Sequence, residues 1–139
     1  MFNYHLAILK RPYLDAILAG TKTIESRLTK TRRVPFGQIK AGDIIYLKVS
    51  SGPVVATAKV TAVKQFENLK PKQVLALKLQ YNDCIKGSDE YWQSKIDSRF
   101  GLLVWLTKIE RIEPVMITKK DWRAWVILTK DEDFGLLGR

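Results

Sequence analysis

Cysteine and histidine are scarce in this sequence. Cys84 is the only cysteine and His5 the only histidine among 139 residues. A single cysteine cannot form an intramolecular disulfide, and the chain has no set of sulfur and imidazole ligands for zinc. We therefore predict no metal site and no cofactor, and we interpret Cys84 as a structural or incidental thiol and His5 as a structural residue within an apolar strand.

Long hydrophobic runs are also missing. No stretch approaches the roughly 18 to 20 apolar residues of a membrane span, and the start of the chain lacks the basic region and hydrophobic core of a signal peptide. We therefore expect a cytoplasmic protein that makes no membrane contact. The sequence shows no internal repeat and no low-complexity tract, so we predict a single domain over residues 1–139, with a loose tail over residues 130–139.

Acidic residues are few relative to basic ones. The chain has 24 Lys and Arg residues against 14 Asp and Glu residues, which gives a formal net charge of +10. Six basic residues are concentrated in a short segment whose only acid is Glu25, namely Lys22, Arg27, Lys30, Arg32, Arg33 and Lys40. Such a concentration favours polyanionic partners such as nucleic acid, although a basic surface that only aids solubility is the alternative.

The segment from residue 13 to residue 28 changes from helical to extended character at a glycine. Residues 13–19 form a short apolar run, and Gly20 has the position of a helix C′ residue, where a left-handed conformation carries no Cβ penalty. From residue 23 to residue 28 the apolar residues recur with period two, which is typical of a strand. The sequence therefore predicts a helix-to-strand corner.

Three charged residues lie at this corner. On a strand, Glu25 and Arg27 share one face, and Lys22 at the bend can bring its ammonium over the same face. We predict a compact Lys, Glu and Arg cluster. The alternative is a weak, solvated surface pair between Glu25 and Arg27.

The remaining pattern predicts strands separated by turns and a few short helices. Gly, Pro and polar residues make residues 29–37 a loop. The strand predictions are residues 3–10, 23–28, 44–49, 54–64, 102–114 and 122–129, and the helix predictions are residues 13–19, 70–81 and 89–96. With no alternation of strand and helix, the fold class is α+β, a mixed, mainly antiparallel β-barrel of about six strands with about three short helices.

Four segments resemble one known family. They are GTKTIESR at residues 20–27, KRPY at residues 10–13, KAGDII at residues 40–45 and WRAWVIL at residues 122–128. Together they resemble the ASCH domain, a small β-barrel family related to the PUA RNA-binding fold. The resemblance is close from Leu6 to Val63 and looser beyond, and it implies a PUA-like barrel.

The leading hypothesis from the residues and the resemblance is binding of RNA or a nucleotide-like ligand in a basic cleft around the GTKTIESR segment. Lys22 and Arg27 would contact phosphate or the polar edge of a base, and Glu25 would accept hydrogen bonds from an amino or hydroxyl group. Flexible loop cations would add attraction that is independent of sequence, and an aromatic ring would stack on an unpaired base. The loop cations are Lys30, Arg32 and Arg33, and the candidate rings are Tyr13, Phe36 and Trp92.

A hydrolase is the alternative, because the resemblance includes amidohydrolases of acetylated cytidine and ribonucleases. The amidohydrolases use a Lys, a Thr three residues later and a distant Glu. Lys22 matches the Lys, but Glu25 stands where that Thr is expected, which leaves Thr21, Thr23 and Ser26 as other hydroxyls. Lys22 and Glu25 are then the candidate catalytic residues. A protein-interaction module is a third alternative, although the sequence shows no clear exposed apolar patch.

Overall fold

The computed structural model describes residues 2–119 and 121–138, and these residues form six strands and three helices. The strands are β1 (Tyr4–Leu9), β2 (Ile24–Thr29), β3 (Ile44–Val49), β4 (Val54–Phe66), β5 (Phe100–Val115) and β6 (Trp125–Leu128). The helices are α1 (Arg11–Leu18), α2 (Pro71–Ile85) and α3 (Asp89–Ser94). No helix in these two ranges combines the length and apolar character needed to cross a membrane.

The strands form one sheet in the order β2-β5-β4-β3-β1-β6. Every neighbouring pair is antiparallel except β1 with β3, which are parallel. The sheet curls into a half-barrel with β2 and β6 as its edges. The prediction of an α+β fold with a mixed, mainly antiparallel barrel of six strands and three helices is confirmed.

The concave side of the sheet holds the main core. Small and branched side chains of β4 alternate inward, and Ala56, Ala58 and Val60 are each at most 1% exposed. Leu14 and Ile17 of α1 pack into the same cluster, which fixes α1 against the inside of the sheet. Small residues on β4 leave space for this helix, so the start of the GTKTIESR segment, which follows α1, has a fixed position.

A second core lies between the other face of β2 and the helices α2 and α3. Ile24 and Leu28 pack with Val74 of α2 and Trp92 of α3. The opposite face of β2 carries Glu25, so the predicted alternation along this strand is confirmed. Trp92 is 2% exposed and donates from its indole nitrogen to the Asn82 side chain at 2.8 Å, so its proposed role as a stacking platform is wrong.

His5 is completely buried and joins three parts of the chain. Its Nδ1 accepts a hydrogen bond from the Trp125 indole at 3.0 Å, so its Nε2 carries the proton donated to Asp43 at 2.8 Å. Burial lowers the pKa of His5 and outweighs Asp43, which raises it. The neutral form of the ring is therefore favoured. His5 therefore has a structural role, holding β6 and the turn before β3 against β1.

The C-terminal part differs from its prediction in two ways. The strand predicted from Trp122 begins only at Trp125, and the Trp122 side chain is fully exposed. The expectation of a loose tail from residue 130 is corrected by Leu136, which is 0% exposed and packs with Leu6 and Val54. Residues 130–138 form turns rather than a helix or strand, so hydrophobic periodicity could not show that Leu136 packs against the sheet.

Candidate functional site

The predicted helix-to-strand corner lines a cavity of about 570 Å³. Its walls come from the end of β1, from α1, from β2 and from α3. This volume lies within the range of about 300 to 1,000 Å³ that is usual for small-molecule sites. We call it the first cavity.

The corner itself is built by the end of α1. Ala19 caps the helix, and Gly20 has a φ of +82°, so the predicted left-handed glycine is confirmed. The amides of Thr21 and Lys22 both donate to the carbonyl of Ala16, at 3.0 and 3.1 Å. These bonds turn the chain back on the helix and direct the Lys22 side chain inward.

Lys22 is 3% exposed, and its ammonium has three acceptors. Nζ donates to the carbonyl oxygens of Ile24 at 2.9 Å and Ile85 at 2.7 Å, and it lies 3.2 Å from Oε1 of Glu25. An ammonium has three N–H donors, so these partners use all of them. Lys22 therefore connects β2 to the C-terminal end of α2 and has no donor left for a ligand.

Glu25 is 7% exposed and lies between two cations. Its Oε2 accepts a hydrogen bond from Nε of Arg27 at 2.9 Å and lies 2.7 Å from Nη2 of the same guanidinium, and its Oε1 faces Lys22. Burial by itself raises the pKa of Glu25, but the charges of Arg27 and Lys22, together with their hydrogen bonds, lower it below its ordinary value. The predicted Lys, Glu and Arg cluster is confirmed as a geometry, and it is buried rather than solvated.

Arg27 spans the gap between the two edges of the sheet. Its NH2 donates to the Ile8 carbonyl of β1 at 3.3 Å, and its guanidinium carbon lies 5.0 Å from the centre of the Trp125 ring in β6. The side chain remains 21% exposed. Arg27 therefore closes the open side of the half-barrel while still presenting part of its charge to the first cavity.

Two further cations line the first cavity, and sequence reasoning missed both as site residues. Lys10 follows β1, and Lys95 follows α3. Burial lowers the pKa of Lys95, and the nearby positive charges of Arg27 and Lys10 lower it further. Within residues 2–119 and 121–138, no carboxylate lies within 4.0 Å of Lys10 or Lys95.

Tyr91 was also missed as a site residue, because aromatic residues in a short helix more often belong to the core. Its hydroxyl lies 2.6 Å from Ser26 Oγ and 3.3 Å from the Ser26 carbonyl. Burial raises the pKa of Tyr91 strongly, so its hydroxyl stays protonated at neutral pH. Tyr13 packs edge-to-face on Tyr91 at 6.1 Å between ring centres and also lines the cavity.

The loop predicted over residues 29–37, which carries Lys30, Arg32 and Arg33 and is called the basic loop below, lies at a second cavity of about 630 Å³. Arg32 is paired with Glu67 at 3.2 Å and lies 4.7 Å from the Phe36 ring centre. Phe36 is only 9% exposed, since Phe100 also contacts it edge-to-face at 5.6 Å. Arg33 is exposed and lines this cavity.

The structure thus divides the predicted site residues between two places. Tyr13, Lys22, Glu25 and Arg27 line the first cavity, and Arg27 also lines the second. Lys30 is exposed and lines neither cavity. The single cleft predicted from the sequence is therefore two neighbouring cavities that share Arg27.

Comparison with known proteins places this geometry in a family. The ASCH domain model matches residues 8–126. The crystal structure of ASCH from Zymomonas mobilis has a TM-score of 0.74 at 18% identity, covering 97% of this chain and 94% of that one. The structure of a serine-to-alanine mutant of the same protein, ZmASCH, gives a TM-score of 0.74 at 19% identity, over 97% and 94% of the two chains.

A more distant fold similarity is to the N-terminal domain of McrB from Staphylothermus marinus. The TM-score is 0.50 at 16% identity, over 83% of this chain and 77% of that one. No curated protein matches the chain. At these identities the solved structures show the fold, and the family model spans most of the sequence. The chain therefore belongs to the ASCH domain family and has its PUA-like fold.

Proposed function

We propose that this protein binds RNA or a nucleotide-like ligand in the first cavity. The observation that carries the proposal is the convergence of Lys10, Arg27 and Lys95 on one cavity. The pKa of Lys95 is lowered mainly by burial and further by the nearby charges of Arg27 and Lys10, and like charges held close together are unfavourable. A bound phosphate would relieve this repulsion, so the charge of the cavity favours an anion.

The buried cluster serves as the frame of this site. Lys22 has used its donors on the protein, so we assign it an organising role rather than the direct phosphate contact expected from the sequence. Oε2 of Glu25 accepts the Nε bond of Arg27, while Oε1 faces Lys22 and keeps a second lone pair. We propose that this oxygen accepts a hydrogen bond from an amino or hydroxyl group of the ligand.

An aromatic contact to the ligand comes from Tyr13 in this proposal. Tyr13 is partly exposed and lines the first cavity, whereas Phe36 lies at the second cavity with its ring covered by Arg32. Base stacking on an aromatic ring tolerates any sequence, since every base has a π-face. The loop residues Lys30 and Arg33 add attraction at longer range.

Hydrolysis is the second candidate function. The observation that favours it is the 2.6 Å contact between Ser26 Oγ and the Tyr91 hydroxyl, in the cavity that Lys22 and Glu25 also line. A serine nucleophile needs a base, but the raised pKa of Tyr91 keeps its hydroxyl protonated, so it cannot accept the proton, and the lowered pKa of Glu25 makes it a weak base. These directions support binding more strongly than acid–base chemistry.

One incubation separates the two candidates. The purified protein is mixed with acylated nucleosides and with single-stranded RNA, and chromatography follows released acid and shortened strands while anisotropy follows binding. Binding without either product supports the proposal. Turnover that disappears in Ser26→Ala but persists in a matched Ser94→Ala variant would instead favour the hydrolase, because Ser94 also lines the cavity but bonds only to the Tyr91 carbonyl.

We expect the affinity for single-stranded RNA to fall as salt rises. Each phosphate neutralised on a single strand contributes about −0.7 to the slope of log affinity against log salt concentration. Three cations in the first cavity therefore give a slope of about −2. A slope near zero would mean that the basic residues make no phosphate contacts.

A further inference from the structure

We infer that the second cavity is a subsite for the neighbouring nucleotide of a single-stranded RNA, with Trp122 as its stacking platform. The inference rests on the proposed function of the first cavity. It deepens that function by naming the ligand class, an unpaired oligoribonucleotide of at least two nucleotides rather than a free nucleoside or mononucleotide.

Trp122 is the most exposed of the large apolar side chains in the described residues, at 100%. Single exposed apolar residues are common on protein surfaces and need no explanation by themselves. Trp122, however, lines the mouth of the second cavity, next to the arginines of the basic loop. A free indole beside cations in a concave surface is the combination that single-stranded nucleic acid sites use.

The segment that carries Trp122 is fixed by its neighbours. The guanidinium NH2 of Arg123 lies 2.7 Å from Asp121 and 2.7 Å from Glu132, and Ala124 accepts from the Ile8 amide at 3.0 Å. Paired bonds between a guanidinium and carboxylates also restrict orientation. The backbone that carries the ring is therefore held in place before β6, with less backbone ordering left to occur when a base binds.

The two cavities adjoin each other. They share three lining residues, Arg27, Thr29 and Ala124. A strand whose first base occupies the first cavity can therefore cross this shared wall and place its next base at Trp122. The phosphate between the two nucleosides would then lie above Arg27.

The charge distribution of the second cavity agrees with this path. Arg123 is neutralised by Asp121 and Glu132, and Arg32 is paired with Glu67. Arg33 has no carboxylate within 4.0 Å among the described residues. Glu25 is one carboxylate facing two cations, Lys22 and Arg27, so this cluster keeps one uncompensated positive charge at the shared wall. Together with Arg33 in the loop beyond that wall, it supplies positive charge where a backbone would enter the second cavity.

The test compares a ligand that can reach both cavities with one that cannot. Hexauridylate and uridine 5′-monophosphate are titrated into wild type and Trp122→Ala by calorimetry or nuclear magnetic resonance. Because stacking on one aromatic ring is worth about 1 to 3 kcal/mol per base, Trp122→Ala should weaken hexauridylate binding roughly 5- to 150-fold. Binding of the monophosphate should stay within about twofold of wild type, since one nucleotide fills the first cavity and does not reach Trp122. A twofold change is well under the roughly 1.4 kcal/mol that corresponds to a factor of ten.

Matched variants identify the cause. Trp122→Phe keeps an aromatic face and should retain most of the affinity, whereas Trp122→Leu keeps apolar area without a π-face and should resemble Trp122→Ala. Leu79→Ala removes another exposed apolar side chain, 88% exposed on α2 and outside both cavities, and should change nothing. Hexauridylate should also quench the emission of the solvent-exposed indole in wild type, and this quenching should be absent in Trp122→Phe.

The possible results distinguish the Trp122 subsite from the proposed ligand binding in the first cavity. Equal hexauridylate affinity in wild type and Trp122→Ala, with binding still sensitive to Lys95→Ala, would overturn the second subsite alone. Failure of the wild type to bind either ligand would overturn the proposed function and the subsite with it.

Discussion

Glu25→Gln is expected to destabilise the protein by about 3 kcal/mol, because removal of one partner from a buried ion pair leaves an uncompensated charge. Glu25 is 7% exposed and compensates both Lys22 and Arg27. The amide would keep one acceptor but not the charge. Urea denaturation monitored by circular dichroism gives the free energy of unfolding and checks this value.

Two controls test the cause of this loss. Glu113→Gln changes an exposed glutamate of β5 in the same way and should stay within about 0.5 kcal/mol of wild type. Lys22→Met combined with Glu25→Gln should be less destabilising than the sum of the single changes by about 1 kcal/mol or more, because the two groups interact directly. A wild-type midpoint for Glu25→Gln would show that the cluster is solvated, against the structure described above.

The same cluster gives a pH dependence with a defined sign. The pKa of Glu25 is below its ordinary value of 4.5 in the folded protein, so the folded state binds this proton less readily than the unfolded chain. Its contribution to stability is complete above pH 4.5 and is lost as the pH falls through the lower folded-state value. Acid should therefore narrow the stability difference between wild type and Glu25→Gln.

The second large effect is expected on affinity. Lys10→Glu combined with Lys95→Glu should weaken binding of single-stranded RNA by about 100-fold or more at low salt. A charge about 4 Å from a phosphate is worth about 1 kcal/mol in water and more where solvent is excluded, and reversal converts each attraction into a repulsion. Fluorescence anisotropy with labelled RNA measures the change. The melting temperature should remain close to wild type, because neither ammonium has a carboxylate within 4.0 Å among the described residues.

The matched control for this variant changes net charge equally at another place. Lys72→Glu combined with Lys130→Glu alters two exposed lysines that line neither cavity. The control should weaken RNA binding far less, since exposed charges separated by more than about 10 Å are largely screened at 0.1 M salt. Equal losses of affinity in the two variants would mean that net charge alone attracts RNA and that the first cavity is not the phosphate-binding site.

The sequence was sufficient for the corner because the signals there are local. A glycine after a short apolar run and a period-two pattern determine where α1 ends and which face of β2 carries Glu25 and Arg27. The alternation of side chains along a strand shows which residues share a face, but it does not show which helix or strand packs on that face. The burial of Lys22, whose ammonium bonds to the Ile85 carbonyl at the end of α2, therefore could not be predicted from the corner alone.

The cations of the first cavity could not be predicted for a related reason. Lys10 and Lys95 are far apart in the sequence and meet only because α3 packs across β2 through Trp92. The burial of Phe36 could not be predicted for the same reason, since an aromatic residue in a polar loop gives no sign of the distant Phe100 ring that packs against it. The burial of Leu136 could not be predicted either, because a lone leucine among turn residues gives no periodic pattern.

The most direct measurement of the central claim is the salt dependence of RNA affinity in three proteins. They are the wild type, Lys10→Ala with Lys95→Ala, and Arg32→Ala with Arg33→Ala. If phosphates bind in the first cavity, removal of Lys10 and Lys95 should flatten the slope by about 1.4, at about 0.7 per cation lost, and the loop variant should change it by about half as much because only Arg33 is unpaired. A wild-type slope in the Lys10 and Lys95 variant, with the loss confined to the loop variant, would contradict the proposal that the first cavity is the phosphate-binding site.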